Sequence, residues 1–153
     1  MPSWTVQPIA TVASSRDQPI DDAWGEVTST ISLVAPYDAS SLLGLDEFSH
    51  VEVVYLFHRA DEAAVTIGAR RPRGNPDWPE VGIFAQRGKD RPNHIGICTC
   101  ELVGVSGASL TVRGLDAIDG TPVLDIKPYL AEFGPRGQVR QPGWAVEIMK
   151  RYF

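Results

Sequence analysis

Two segments of this chain set proline and glycine beside charged and amide side chains. They are Arg91-Pro92-Asn93-His94-Ile95-Gly96 and, further on, Asp119-Gly120-Thr121-Pro122-Val123-Leu124-Asp125-Ile126-Lys127-Pro128-Tyr129. Pro fixes φ and Gly permits φ > 0, so both segments dictate stiff, bent backbone that can offer N–H and C=O groups to a ligand. Either could equally be a plain, well-formed turn. Other polar residues follow apolar runs: His58 and Arg59, then Arg91 and Asn93, then Asp119, Thr121, Asp125 and Lys127. No Gly-x-Ser-x-Gly elbow, Walker loop, His-Glu-x-x-His helix or Cys-x-x-Cys pair occurs, so serine-triad or metal hydrolysis has little support. The set suits a reaction whose reactive group arrives on a cofactor while the protein supplies position and charge.

Holding such residues requires strands. Val27, Ile31 and Leu33 alternate with polar residues, and Val51, Val53, Tyr55 and Phe57 fall on one face of Val51–Phe57. Ile95–Val105 and the run through Leu110 and Val112 read as a hairpin around Ser106-Gly107. Val6–Val12 is expected as a first strand, near a sheet edge because of Pro8, and Val81–Ala85 as another short one. Helix signals are few: Asp38 capping a turn through Ser40–Leu43, and Ala145–Tyr152 near the C-terminus. With no strand–helix–strand rhythm, the expected fold is mainly β, a single small antiparallel β-barrel with short helices and long loops. Gly68–Glu80 reads as a long loop and carries Arg70, Arg71 and Arg73.

The 153 residues have the length of one domain, with no separate C-terminal domain expected. No apolar run reaches the roughly 20 residues of a membrane span, and no signal peptide is visible, so a cytoplasmic protein is expected. A net charge of −5 argues against broad, non-specific nucleic-acid binding. Charge is segregated, however. Arg70, Arg71, Arg73, Arg87, Lys89 and Arg91 lie close together, while Asp17, Asp21, Asp22 and Glu26 make the N-terminal part acidic. Cys98 and Cys100 read as buried free thiols, and His50, His58 and His94 do not cluster with them, so no metal site is expected.

Phe57-His58, Arg71-Pro72-Arg73, Gly82-Ile83-Phe84-Ala85, Arg91-Pro92-Asn93-x-Ile95-Gly96, Arg113-Gly114-Leu115-Asp116 and the run Asp119–Tyr129 together resemble the TrmO (TsaA-like) family, from about Ile9 to Tyr129. The resemblance implies a β-barrel S-adenosylmethionine-dependent methyltransferase, unrelated to the Rossmann type and commonly a homodimer. It further implies N6-methylation of N6-threonylcarbamoyladenosine beside the tRNA anticodon. By that resemblance His58, Arg59, Arg91, Asp119, Gly120, Thr121 and Pro122 would bind the methyl donor. Asp119, Asp125 and Tyr129 are the catalytic candidates, although Asp125 and Lys127 share a side of a strand and could instead pair with each other. Arg70, Arg71, Arg73, Lys89, Asn93, Lys127 and Trp24 are the candidates for holding the tRNA anticodon loop, with packing as the other role for Trp24. The chain departs from the family pattern in having His94 where a proline is usual, and in the acidic stretch Arg16–Gly25. That stretch leaves two other readings open. One is methylation of a small amine in an acidic pocket of Asp21, Asp22 and Trp24, and the other is a module that binds the donor without catalysis.

Overall fold

Alternating strands bury one face each, and a short antiparallel set can bury all of them at once by curling closed. The computed structural model describes all 153 residues. Its strands are β1 (Ala10–Ser14), β2 (Thr28–Leu33), β3 (His50–Leu56), β4 (Ala69–Arg70), β5 (Val81–Gly82), β6 (Ile95–Ser106), β7 (Ser109–Arg113) and β8 (Pro122–Pro128). Six of them close into a barrel in the order β1-β2-β7-β6-β3-β8, with β8 returning to β1, and β4 and β5 form a separate two-stranded sheet. Every barrel pairing is antiparallel. The expected mainly-β barrel is therefore observed.

Side chains facing inward make one core: Val12, Ile31, Val51, Val53, Leu110, Val112 and Val123 are essentially without solvent contact. Burying an aliphatic side chain fully contributes about 1.5–3 kcal/mol, so this interior sets the stability of the frame. Cys98 and Cys100 lie in the same core as free thiols, and burial pushes the Cys100 thiol up to about 12 and Cys98 higher still. Neither is a nucleophile at neutral pH.

Several boundaries differ from the sequence expectation. The first strand starts at Ala10 rather than Val6, because Pro8 has no N–H while Ile9 still donates to Val123 O at 2.8 Å. It is not an edge, since β1 pairs on both sides and the barrel has none. Val81–Ala85 is strand only at Val81–Gly82 and then a 3-10 turn, Ile83–Ala85. Asp38 caps Ala39–Leu42 by accepting from Ser40 N at 2.9 Å, as its type and position suggest. The hairpin turn holds at Gly107, whose φ of 57° is in the left-handed region that glycine enters freely. The C-terminal helix, α1 (Gly143–Met149), is displaced toward the N-terminus of the expected span.

Candidate functional site

One end of the barrel opens into a cleft of about 1230 Å³. Its floor is Tyr55, the last inward residue of β3, and Gly96, opposite it on β6. A Cβ at Gly96 would stand 2.6 Å from the Tyr55 ring, so only glycine lets the ring lie across the floor. The Tyr55 hydroxyl donates to Asp116 Oδ1 at 2.6 Å, and the Tyr152 hydroxyl donates to Asp116 Oδ2 at 2.5 Å. Burial, followed by the Asp116 charge, pushes both phenols far above the ordinary tyrosine value, so they stay protonated donors. Tyr152 reaches the floor because the C-terminal segment runs beside Ala23–Gly25: Ala23 N donates to Arg151 O at 2.8 Å and Trp24 N to Tyr152 O at 2.7 Å. Phe153 backbone comes so near Gly25 that a Cβ there would meet it at 2.7 Å.

The two proline-bearing bends meet at the end of β3. His94 O accepts from Phe57 N at 2.8 Å, and Thr121 Oγ1 lies 3.4 Å from His58 Nδ1. In the first bend Asn93 and His94 have φ of 64° and 50°, unusual for residues with a Cβ. Proline cannot adopt such a φ, so His94 gives this bend a shape closed to proline. In the second, the N–H groups of Asp119, Gly120 and Thr121 donate to Arg16 O, Val12 O and Ile118 O. Those N–H groups are therefore not free for a ligand, contrary to the sequence expectation, and the turn presents the Thr121 side chain to the cleft instead. His58 titrates below its ordinary value because of burial and then the Arg59 charge, with Asp119 opposing; at neutral pH it is uncharged.

Seven basic side chains and three carboxylates line the cleft of a chain whose net charge is −5. Arg70 and Lys89 both grip Asp90, at 3.1 and 2.9 Å. Burial works against ionisation of Asp90, but those two hydrogen bonds prevail and hold its carboxyl below the usual range. Arg73 binds Asp22 at 2.8 Å and Asp21 at 3.8 Å. The other four donate only to backbone carbonyls: Arg59 to Asp17 O, Arg71 to Pro76 O and Trp78 O, Arg87 to Ile97 O, and Arg91 to Gln86 O. Their charges are uncompensated.

The cleft brings together His58, Arg59, Arg70, Arg71, Arg73, Lys89, Arg91, Thr121 and Trp24 of the residues singled out from sequence. It does not include Asn93, which is exposed on the first bend, or Gly120 and Pro122. Asp119 also lies outside it and accepts from Ser14 N at 3.0 Å, tying the turn to β1. Asp125 and Lys127 pair at 2.6 Å on the outer face of β8, and Tyr129, whose N–H donates to His50 O, sits at the opposite end of the barrel. Trp24 is 3% exposed, covered by Arg16 at 4.5 Å from its ring centroid, with its Nε1–H donating to Ile20 O. It is a packing residue at the cleft wall. The acidic pocket expected from Asp21 and Asp22 does not form, because Arg73 neutralises them, and its hydrogen bond holds the Asp22 carboxyl low.

Sequence reasoning passed over Asp116, Tyr55 and Tyr152 as site residues. Asp116 had a signal, its place in Arg113-Gly114-Leu115-Asp116, and Tyr55 looked like any inward strand residue. Tyr152 had none, since only the return of the C-terminus across the cleft gives it a role. No group of three or more His, Cys, Asp or Glu gathers as a metal site, and no helix is long and apolar enough to cross a membrane.

Residues 10–134 match the model of the tRNA-methyltransferase O N-terminal domain. The chain is 39% identical over 130 residues to a probable S-adenosyl-L-methionine-binding protein of Pyrococcus abyssi, spanning 84% of this chain and 67% of that one. It is 40% identical over 102 residues to the tRNA (adenine(37)-N6)-methyltransferase of Homo sapiens, 67% of this chain but only 23% of the human protein. A crystal structure of TrmO from Pseudomonas aeruginosa superposes with a TM-score of 0.76 at 29% identity, over 94% of this chain and 62% of that one. The chain thus spans about a quarter of the length of the human relative.

Proposed function

The chain belongs to the tRNA-methyltransferase O family, and from that premise we propose that it methylates N6 of a modified adenosine, N6-threonylcarbamoyladenosine, beside the tRNA anticodon. S-adenosylmethionine is the methyl donor in this reading. The carrying observation is the cleft itself, where four uncompensated arginines and a neutral histidine meet in an otherwise acidic protein.

Each part of the cleft suits a part of that chemistry. Its volume of about 1230 Å³ exceeds the roughly 300–1,000 Å³ of common small-molecule sites, which leaves room for a donor and a splayed-out nucleoside together. The donor supplies an activated methyl group on a cationic sulfur. An uncharged His58 beside Thr121 tolerates that cation where an imidazolium would repel it. Arg91 has no carboxylate partner of its own and is free to pair with the donor's carboxylate, and Arg59 lines the same cleft. Arg71 and Arg87, with Arg70, Arg73 and Lys89 beside them, form the wall for the anticodon-loop phosphates. Gly120 and Pro122 shape the turn behind Thr121, and Asp119 ties it down. In the same reading the protein works in the cytoplasm as a homodimer, which doubles the cationic wall.

The test is incubation with donor carrying a labelled methyl group and tRNA from cells lacking this modification, followed by nucleoside analysis. Label on N6 of the modified adenosine is the expected result. Label only on small molecules, or none at all, overturns the reading.

A further inference from the structure

Removing the proton from the acceptor nitrogen is the one task for which the residues above provide no agent. Three carboxylates line the cleft. Asp90 is held by Arg70 and Lys89, and Asp21 faces Arg73. A cation in contact makes a carboxylate a poorer proton acceptor. Asp116 alone has no cationic partner: its neighbours are the Tyr55 hydroxyl from β3, the Tyr152 hydroxyl from the C-terminal segment, and Cys98 on β6, which burial keeps as a thiol. Arg87 is the cation whose charge reaches this group, through Tyr152. A carboxylate has about four lone-pair sites, and the two phenols engage one on each oxygen, so acceptor capacity remains on both.

We propose that Asp116 takes the proton of the acceptor nitrogen, with Tyr55 and Tyr152 as positioning residues that fix its carboxylate at the cleft floor. This rests on the reading of the cleft as a methyl-transfer site. The acceptor nitrogen forms its bond to the methyl carbon as the carbon–sulfur bond breaks, the bonding pair returns to sulfur, and the N–H proton crosses to an Asp116 oxygen. Water then removes it as the products leave. Tyr152 lies beyond the residues matched by the family model, which end at 134, so the C-terminal segment completes the site rather than merely covering it. His58, whose imidazole is uncharged, is the alternative proton acceptor that the test separates.

The experiment compares wild type, D116N, Y152F, Y55F and H58A in single-turnover methyl transfer to an anticodon stem-loop, alongside donor affinity by calorimetry. D116N is expected to lose about 10²–10⁴ in rate, the range of a general base, while its donor affinity stays within about twofold of wild type. Y152F is expected to lose about tenfold in kcat with KM for the donor unchanged, as for removal of one hydrogen bond to a charged group. Phenolate absorbance followed against pH gives a readout apart from activity: in D116N the tyrosines ionise at lower pH, because the neighbouring negative charge is gone. Wild-type rates in D116N, or a rate loss confined to H58A, overturn the proposal. If D116N fails to fold, Y152F and Y55F decide, since wild-type kcat in both overturns it equally. A wild-type protein that binds donor but labels no tRNA overturns the function proposed above, whereas a wild type that labels tRNA beside an equally active D116N overturns this inference alone.

Discussion

Asp116 and Asp125 sit on neighbouring stretches of the same barrel, and each lies within a motif that carries the family resemblance. Asp125 lies on the outer face of β8, 45% exposed, with Lys127 at 2.6 Å. Asp116 lies at the cleft floor with a phenol on each oxygen and no cation in contact. The difference lies in direction. The bulge between Val123 and Asp125 interrupts the alternation of β8, so Asp125 and Lys127 point outward while Ile126 turns toward the core, and the pair meets water. Asp116 lies in the connection between β7 and β8, where the backbone is free of the ladder and the side chain can turn over the barrel mouth. A carboxylate in water with a lysine beside it is a surface ion pair; the same group under two tyrosines is a reagent.

The contrast is broken most directly at Arg91. Replacing it with alanine is expected to weaken donor affinity by about 10–100-fold, the equivalent of one charged hydrogen-bonded contact, without unfolding the protein. Calorimetric titration of the donor checks this, and wild-type affinity in R91A would remove the arginine from the donor site. Next comes the floor itself. Gly96→Ala drives a methyl group to 2.6 Å from the Tyr55 ring, an overpacking expected to cost about 1–3 kcal/mol and lower Tm by about 2–4 °C per kcal/mol. Gly104, further along the same strand, has nothing within 4 Å of a built Cβ, so Gly104→Ala is expected to stay within about 0.5 kcal/mol of wild type. Thermal melts of the two variants side by side test whether tightness is a property of the cleft end alone. Equal melting temperatures would show that the floor has slack.

The barrel was legible because period-two burial is a local signal: Val51, Val53 and Tyr55 announce an inward face whatever their partners are. Closure was legible only as a tendency, since register is set by pairings that no single strand encodes. Pro8 misled for a related reason, because the missing N–H ends a strand as readily as it marks an edge. At the site, residues beside fixed bends could be found from sequence, and His58, Arg91 and Thr121 do face one cleft. Those chosen for charge within a strand could not, because whether Asp125 and Lys127 face the cleft or the solvent depends on the register of β8, which is bulged where Tyr55 meets Val123. The contribution of Tyr152 was invisible. It depends on backbone pairing between Ala23–Trp24 and Arg151–Tyr152, two segments without strand or helix periodicity.

A smaller effect sharpens the cleft's electrostatics. His58 is lowered by burial and by Arg59, so its folded value lies below the ordinary value near 6.5. The unfolded chain therefore binds a proton first as pH falls. The stability this histidine contributes is full above about 6.5 and is lost as pH drops through the window between the two values. H58Q is expected to flatten that part of the stability profile. Urea unfolding of wild type and H58Q between about pH 7 and pH 5 measures it. A steeper loss in the variant would show that the imidazole gains, rather than loses, protons on folding.

The smallest effect is expected on the outer face, and it is the one that completes the comparison. Lys127 donates to Asp125 at 2.6 Å with 63% of its own side chain exposed, and its raised value comes first from that hydrogen bond and then from the carboxylate's charge. Water screens such a pair, and holding two flexible side chains in one geometry costs entropy that offsets most of the attraction. Asp125→Asn is therefore expected to shift Tm by no more than about 2 °C, with the shift shrinking further in high salt. Donor affinity should match wild type, since no atom of either residue lines the cleft. Melting curves at low and high salt, with a donor titration on the same sample, decide the matter. A large loss of donor affinity in D125N would mean that the outer face of β8 communicates with the cleft through the bulge between Tyr55 and Val123, and the separation drawn between the two carboxylates would fail at that point.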